Sequence, residues 1–102
     1  MKAILLTLAL MFTGAAFALH IVGDSMKPTI PRGSVVIVDP STEATSRVVM
    51  VRQNGDSEAT IKRLVIEGGV RYLKPDNPRY PIMEMRADAI ICGVAVKVGQ
   101  DL

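Results

Sequence analysis

From Phe17 onward the chain is written in short β-branched apolar runs, broken at intervals of about ten residues by Gly, Pro or Asn. Phe17–Val22 is apolar and partly β-branched. The next stretch, Gly23 to Gly33, carries two Pro and two Gly and predicts a loop. "SVVIVD", Ser34–Asp39, is an unbroken run of the kind found in a strand covered on both faces. Arg47–Gln53 predicts another strand, closed by the hairpin dipeptide Asn54-Gly55. Ser57–Glu67 and Val70–Lys74 predict a hairpin about Gly68-Gly69. "PDNPRYP" reads as an ordered loop, and Ala89–Val98 as a last strand with a bulge at Gly93. No helical period stands out beyond the N-terminus. The fold class that follows is all-β, one small barrel-like domain over residues 17–98 with a tail at 99–102.

The first sixteen residues form a separate apolar segment. Lys2 is followed by an uncharged run from Ala3 to Leu19 that ends in Ala16-Phe17-Ala18. A basic start, an apolar middle and a small-x-small triplet is the pattern of a secretory signal peptide. The run also reaches the lower length limit of a membrane-spanning helix. A third reading makes it a non-native start, with "AAFALHIV" the first strand of the domain. Cleavage after Ala18 would remove half of that strand, so these readings compete for Ala16 to Leu19.

Composition narrows the function classes. A chain of 102 residues supports one domain with a modest core, and with aromatics at 4% that core is built from Val, Ile, Leu and Met. The net charge of +2 comes without a basic run, which gives no electrostatic footprint for nucleic acid. A single cysteine, Cys92, makes no internal disulfide. With one Cys and one His there is no metal-ligand spacing, and no cofactor is expected.

The chemistry rests on Ser25, in "HIVGDSMKPTIPRGSVVIVDP". A serine in a Gly-Asp-Ser turn is ordinarily structural, and a nucleophilic one needs a base within reach. His20 and Asp24 would complete a Ser-His-Asp set. Yet five extended residues cover about 16 Å, which holds His20 away unless the chain folds sharply at Gly23. Asp24, next in sequence, points to the opposite face of an extended chain. Lys62, in "TIKRLVI", shares a face with Thr60, Leu64 and Ile66. If that face turns inward, burial disfavours the ammonium and leaves an amine able to take the serine proton. Alternation alone does not choose between Lys62 and Arg63, and a snorkelling edge-strand lysine satisfies the same pattern.

"GDSMKPTIPRGSVVIVDP", "EATIKRLVIEGGVRYLKPDNPRYP" and "IICGVAVKV" occur in that order. Together they resemble the C-terminal domain of the LexA repressor, UmuD and lambdoid phage repressor family, the S24 self-cleaving Ser-Lys peptidases, over about residues 17 to 98. The resemblance implies a LexA/signal-peptidase type fold, Ser25 as nucleophile and Lys62 as general base. It also implies that the Ser25 N–H supports the oxyanion and that Met26 packs beside the nucleophile. It further implies a homodimer formed through the last strands, a cytoplasmic location and stimulation by RecA or another DNA-repair partner. Relatives cleave a small-residue–Gly bond in their own linker. This chain has no Ala-Gly bond and no helix-turn-helix, so it is expected to resemble a UmuD′-like product, or a truncated repressor with a new start, and to bind no DNA directly. "TSRVVM" also stands where relatives often carry Gly-Asp. The related type I signal peptidases give an alternative: a membrane-anchored serine protease held by residues 3–19. A non-catalytic dimerisation module is a third reading.

Overall fold

A computed structural model describes residues 2–5, 16–45, 47–53 and 59–100. Among the described residues there are eight strands: β1 (Lys2–Leu5), β2 (Phe17–Ile21), β3 (Ser34–Asp39), β4 (Val48–Arg52), β5 (Ala59–Glu67), β6 (Val70–Lys74), β7 (Met83–Glu84) and β8 (Ile90–Gln100). They form one sheet in the order β1-β2-β3-β8-β4-β5-β6-β7, with β1 also paired to β5. That extra pairing closes six strands into a ring and leaves the β6–β7 ribbon hanging from β5. Every pairing is antiparallel. The nine residues of β5 serve two partners on one edge: β1 at Ala59 and Thr60, β6 from Arg63 to Glu67. The all-β, barrel-like architecture expected from the strand spacing is the one observed.

Two apolar clusters fill the domain. Leu19, Ile21, Met26, Ile30, Val36, Val38, Met50, Ala59 and Ile61 make the first. Val49, Val51, Leu64, Leu73 and Val94 make the second. Alternate residues of β4 therefore feed different clusters, which is what a period of two does to a strand covered on both sides. Gly68 and Gly69 both take positive φ, 59° and 78°, and close the β5–β6 hairpin in two residues, as Gly-Gly allows.

The details depart from the sequence pattern in several places. "SVVIVD" is not covered on both faces: Ser34, Val36 and Val38 are buried, while Val35, Ile37 and Asp39 are half-buried. Its β-branched run reflects a central position between β2 and β8 rather than two packed faces. β8 extends through Gly99 and Gln100 because these pair with Val35 and Ser34, so the strand runs into the first part of the expected tail. The pairing of β8 with β4 skips Cys92, which puts the bulge beside Gly93. A Cβ at Gly93 would stand 2.6 Å from Val38 Cγ1 and 3.0 Å from the Asp39 carbonyl. Relieving such an overlap costs about 1–3 kcal/mol. Met83–Glu84, inside a stretch without strand pattern, pairs with Leu73 and Tyr72. The Asn54-Gly55 turn lies outside the described residues. At the N-terminus, Lys2–Leu5 form a strand against β2 and β5, while residues 6–15 of the apolar run lie outside the described residues. Among the described residues no helix is long and apolar enough to cross a membrane.

Candidate active site

Ser25 stands just beyond the end of β2, in a loop that is closed at its base by the Gly33 N–H donating to the Ile21 carbonyl at 2.8 Å. Within the loop the Lys27 N–H donates to the Asp24 carbonyl at 3.1 Å and the Ile30 N–H to the Met26 carbonyl at 2.8 Å. Met26 and Ile30 drop into the first cluster and anchor the turn from below. The Asp24 carboxylate faces outward: Arg32 donates to it at 3.0 and 3.3 Å, and Lys27 lies at 3.4 Å. The Arg32 hydrogen bond, ahead of the other influences, holds the Asp24 carboxyl below its usual value. Ser25 itself has no exposed surface.

β5 brings the second group. Burial along it does not follow one face. Ala59 and Ile61 enter the cluster that holds Met26, Leu64 enters the other cluster, and Ile66 is exposed. Lys62 sits at this changeover, with Arg63 beside it and buried Ile61 and Leu64 flanking the pair. The inward face expected for Lys62 thus holds for Leu64 and fails for Ile66, which lies near the hairpin end. The Lys62 Nζ is 3.2 Å from Ser25 Oγ and donates to the Ile61 carbonyl at 3.2 Å. Burial is the leading cause that lowers the pKa of this amine from an ordinary lysine value.

Arg63, the competing cation, is disposed of differently. Its Nε and Nη2 donate to the two Asp76 oxygens at 2.9 and 2.8 Å. That bidentate pair raises the guanidinium pKa and, led by the same Arg63 hydrogen bond, lowers that of the carboxyl. Arg63 therefore stays charged and serves as no base. His20 lies in β2 opposite Val35, and it is Lys62 that donates to the Ser25 hydroxyl. Of the residues singled out in the sequence, Ser25, Met26 and Lys62 converge, and Asp24 turns away to Arg32.

The loop after β6 contributes contacts that sequence reasoning missed. The Asn77 N–H donates to the Ser25 carbonyl at 2.9 Å, and Asn77 Nδ2 donates to the Asp24 carbonyl at 3.0 Å. Thr29 Oγ1 donates to Asp76 Oδ2 at 2.5 Å. The signal in "PDNPRYP" was the Asp-Asn pair itself, two short polar side chains suited to bonding backbone and held between prolines. Among the described residues no group of three or more His, Cys, Asp or Glu could hold a metal ion.

Residues 5–96 match the Peptidase S24-like family. Over 86 residues the chain is 40% identical to Repressor protein C2 of Salmonella phage P22, covering 79% of this chain and 40% of that one. It is 45% identical over 84 residues to the HTH-type transcriptional regulator for conjugative element SXT of Vibrio cholerae, covering 76% and 39%. Against the LexA repressor of Methylococcus capsulatus the identity is 34% over 87 residues, covering 80% and 42%. The chain thus spans about two fifths of the length of these relatives.

Proposed function

The chain belongs to the Peptidase S24-like family, and on that premise we propose that it works as a Ser-Lys peptidase domain of the repressor type, with Ser25 the nucleophile and Lys62 the general base. One observation carries this reading: a half-buried lysine amine 3.2 Å from the hydroxyl of a fully buried serine. Burial does two things here. It lowers the proton affinity of Lys62, and it removes the water that would otherwise compete for the serine hydroxyl.

The chemistry follows from those two atoms. Ser25 Oγ adds to the peptide carbonyl while its proton passes to neutral Lys62 Nζ. The resulting oxyanion accepts a hydrogen bond from the Ser25 N–H. As the tetrahedral intermediate collapses, the C–N bond breaks and Lys62 returns the proton to the leaving amine. Water, deprotonated by the same amine, then releases the acyl group from Ser25. Met26 supports the nucleophile by packing beneath it. Ser25 has no exposed surface, and β1 already pairs with both β2 and β5, so a peptide reaches the hydroxyl only after a local opening.

The substrate class carried over from the family is a peptide with a small-residue–Gly bond. Cleavage of such a linker peptide, followed by chromatography with and without RecA filaments, tests this reading. The rate is expected to rise with pH, because neutral Lys62 is the reactive form, and to level off below the 10.5 of an ordinary lysine. A rate that is flat or falls with pH speaks against a lysine base.

A second role, dimerisation, has its own support. Val96 and Val98 stand exposed on β8, and Val35, Ile37 and Val98 line a shallow groove between β3 and β8. A second copy seated there would cover this apolar strip. Val98→Asp is then expected to weaken self-association at least about tenfold, because it would bury an unpaired carboxylate at the interface. Sedimentation equilibrium reads the effect, and identical masses for variant and parent would remove this face from consideration.

A further inference from the structure

The loop carrying Ser25 belongs to no β-ladder, whereas Lys62 lies within β5, so ladder hydrogen bonds do not set the distance between them. What ties the two together is the segment Pro75–Asn77. It leaves β6 directly after Lys74, which pairs with Arg63. Pro75 is buried and fixes the direction of exit. From there the segment grips both partners. The Asp76 carboxylate holds Arg63, the neighbour of Lys62, through two hydrogen bonds, and takes a third from Thr29 on the nucleophile loop. The Asp76 N–H reaches Met26 Sδ at 3.4 Å. Asn77 then holds the carbonyls of Asp24 and Ser25.

We propose that Asp76 and Asn77 are positioning residues: a strap that fixes Ser25 Oγ within hydrogen-bonding distance of Lys62 Nζ. The inference rests on the Ser-Lys reading of the site and adds what holds the pair in register. Lys62 ends in a long flexible side chain, and the loop of residues 22–33 is anchored in the core only through Met26 and Ile30. Neither restraint defines a distance to within a few tenths of an ångström. The strap does, because it bonds the backbone on both sides of the Ser25 α-carbon and the residue next to Lys62. Misplacement by about 1 Å costs a reacting pair on the order of 100-fold in rate.

The strap is tested in the full chain with Asn77→Ala, Asp76→Ala, Arg63→Ala, Arg63→Lys and the Arg63→Ala/Asp76→Ala double variant. Cleavage of the linker peptide is measured at saturation and normalised to the folded fraction at each temperature. The expected result is a kcat lowered about 10–100-fold by Asp76→Ala, and less by Asn77→Ala, whose backbone N–H still reaches Ser25. KM stays within about twofold, since the strap acts on the reacting pair and not on the peptide. The double variant is no slower than the slower single one, because Arg63 and Asp76 form one clamp. Arg63→Lys recovers part of the rate. If Asp76→Ala fails to fold, Asn77→Ala decides alone. A kcat per folded molecule equal to the parent's, or a loss confined to KM, overturns the strap. Ser25→Ala is run alongside: if it cleaves at the parental rate, the Ser-Lys reading itself has failed and the strap falls with it. If it is inactive while the strap variants are unaffected, only the strap is lost.

Discussion

Ser25→Ala is expected to abolish cleavage of a supplied linker peptide, by about 10⁴–10⁶-fold, while leaving the fold in place. The size of the loss follows from the chemistry. Without Oγ there is no acyl intermediate, and the residual rate is only what peptide binding and the Ser25 N–H can lend to attack by water. The mildness toward the fold follows from the structure. Among the described residues the side-chain partner of the hydroxyl is Lys62. The restraints on the loop run through the backbone of Asp24 and Ser25 and the side chains of Met26 and Ile30. A thermal midpoint close to the parent's, with cleavage gone, is the result expected from combined calorimetry and peptide assay. Retained cleavage would remove Ser25 from the mechanism.

The sequence pattern carried most of this fold and part of the site, and the division has physical causes. Strands with strong β-branched content and Gly or Pro punctuation were legible: Phe17–Ile21, Ser34–Asp39, Val48–Arg52 and Val70–Lys74 fall where the pattern puts them. Met83–Glu84 was not, because a two-residue edge strand is too short to show a period. The end of β8 was not, because Gly99 and Gln100 are strand by virtue of their partners on β3 and not by propensity. Lys62 and Arg63 were indistinguishable by alternation, since β5 changes the cluster it feeds between Ile61 and Leu64. What separates them is a contact 13 residues away in the chain, Asp76 on Arg63, and no local pattern encodes that. Asp76 and Asn77 were hidden for the same reason. Their role consists of bonds to Ser25, Asp24 and Arg63, residues that only the closed sheet brings near.

Lys62→Met should be as inactive as Ser25→Ala, yet more stable than the parent at neutral pH. Activity goes because the base goes, with a loss again of about 10⁴-fold or more. Stability rises because a half-buried ammonium is replaced by an apolar chain of similar length. The sign of the pH dependence is fixed by the direction of the shift. The folded-state pKa of Lys62 is lowered, chiefly by burial, while in the unfolded chain it lies near 10.4. Below the folded value both states carry the proton and the fold bears the full cost of burying the charge. Between the two values the unfolded chain binds more protons, so parental stability climbs with pH. Above the unfolded value both states are neutral and the penalty has vanished. The gap in thermal midpoint between Lys62→Met and the parent is therefore expected to be widest below the folded-state value and to shrink as pH rises toward the unfolded one. Comparing the two proteins at each pH cancels the titration of every other group they share. A gap that stays constant with pH, or widens on the alkaline side, would mean that Lys62 is not held as a desolvated amine. The lysine would then have no more claim than any surface lysine to the proton of Ser25.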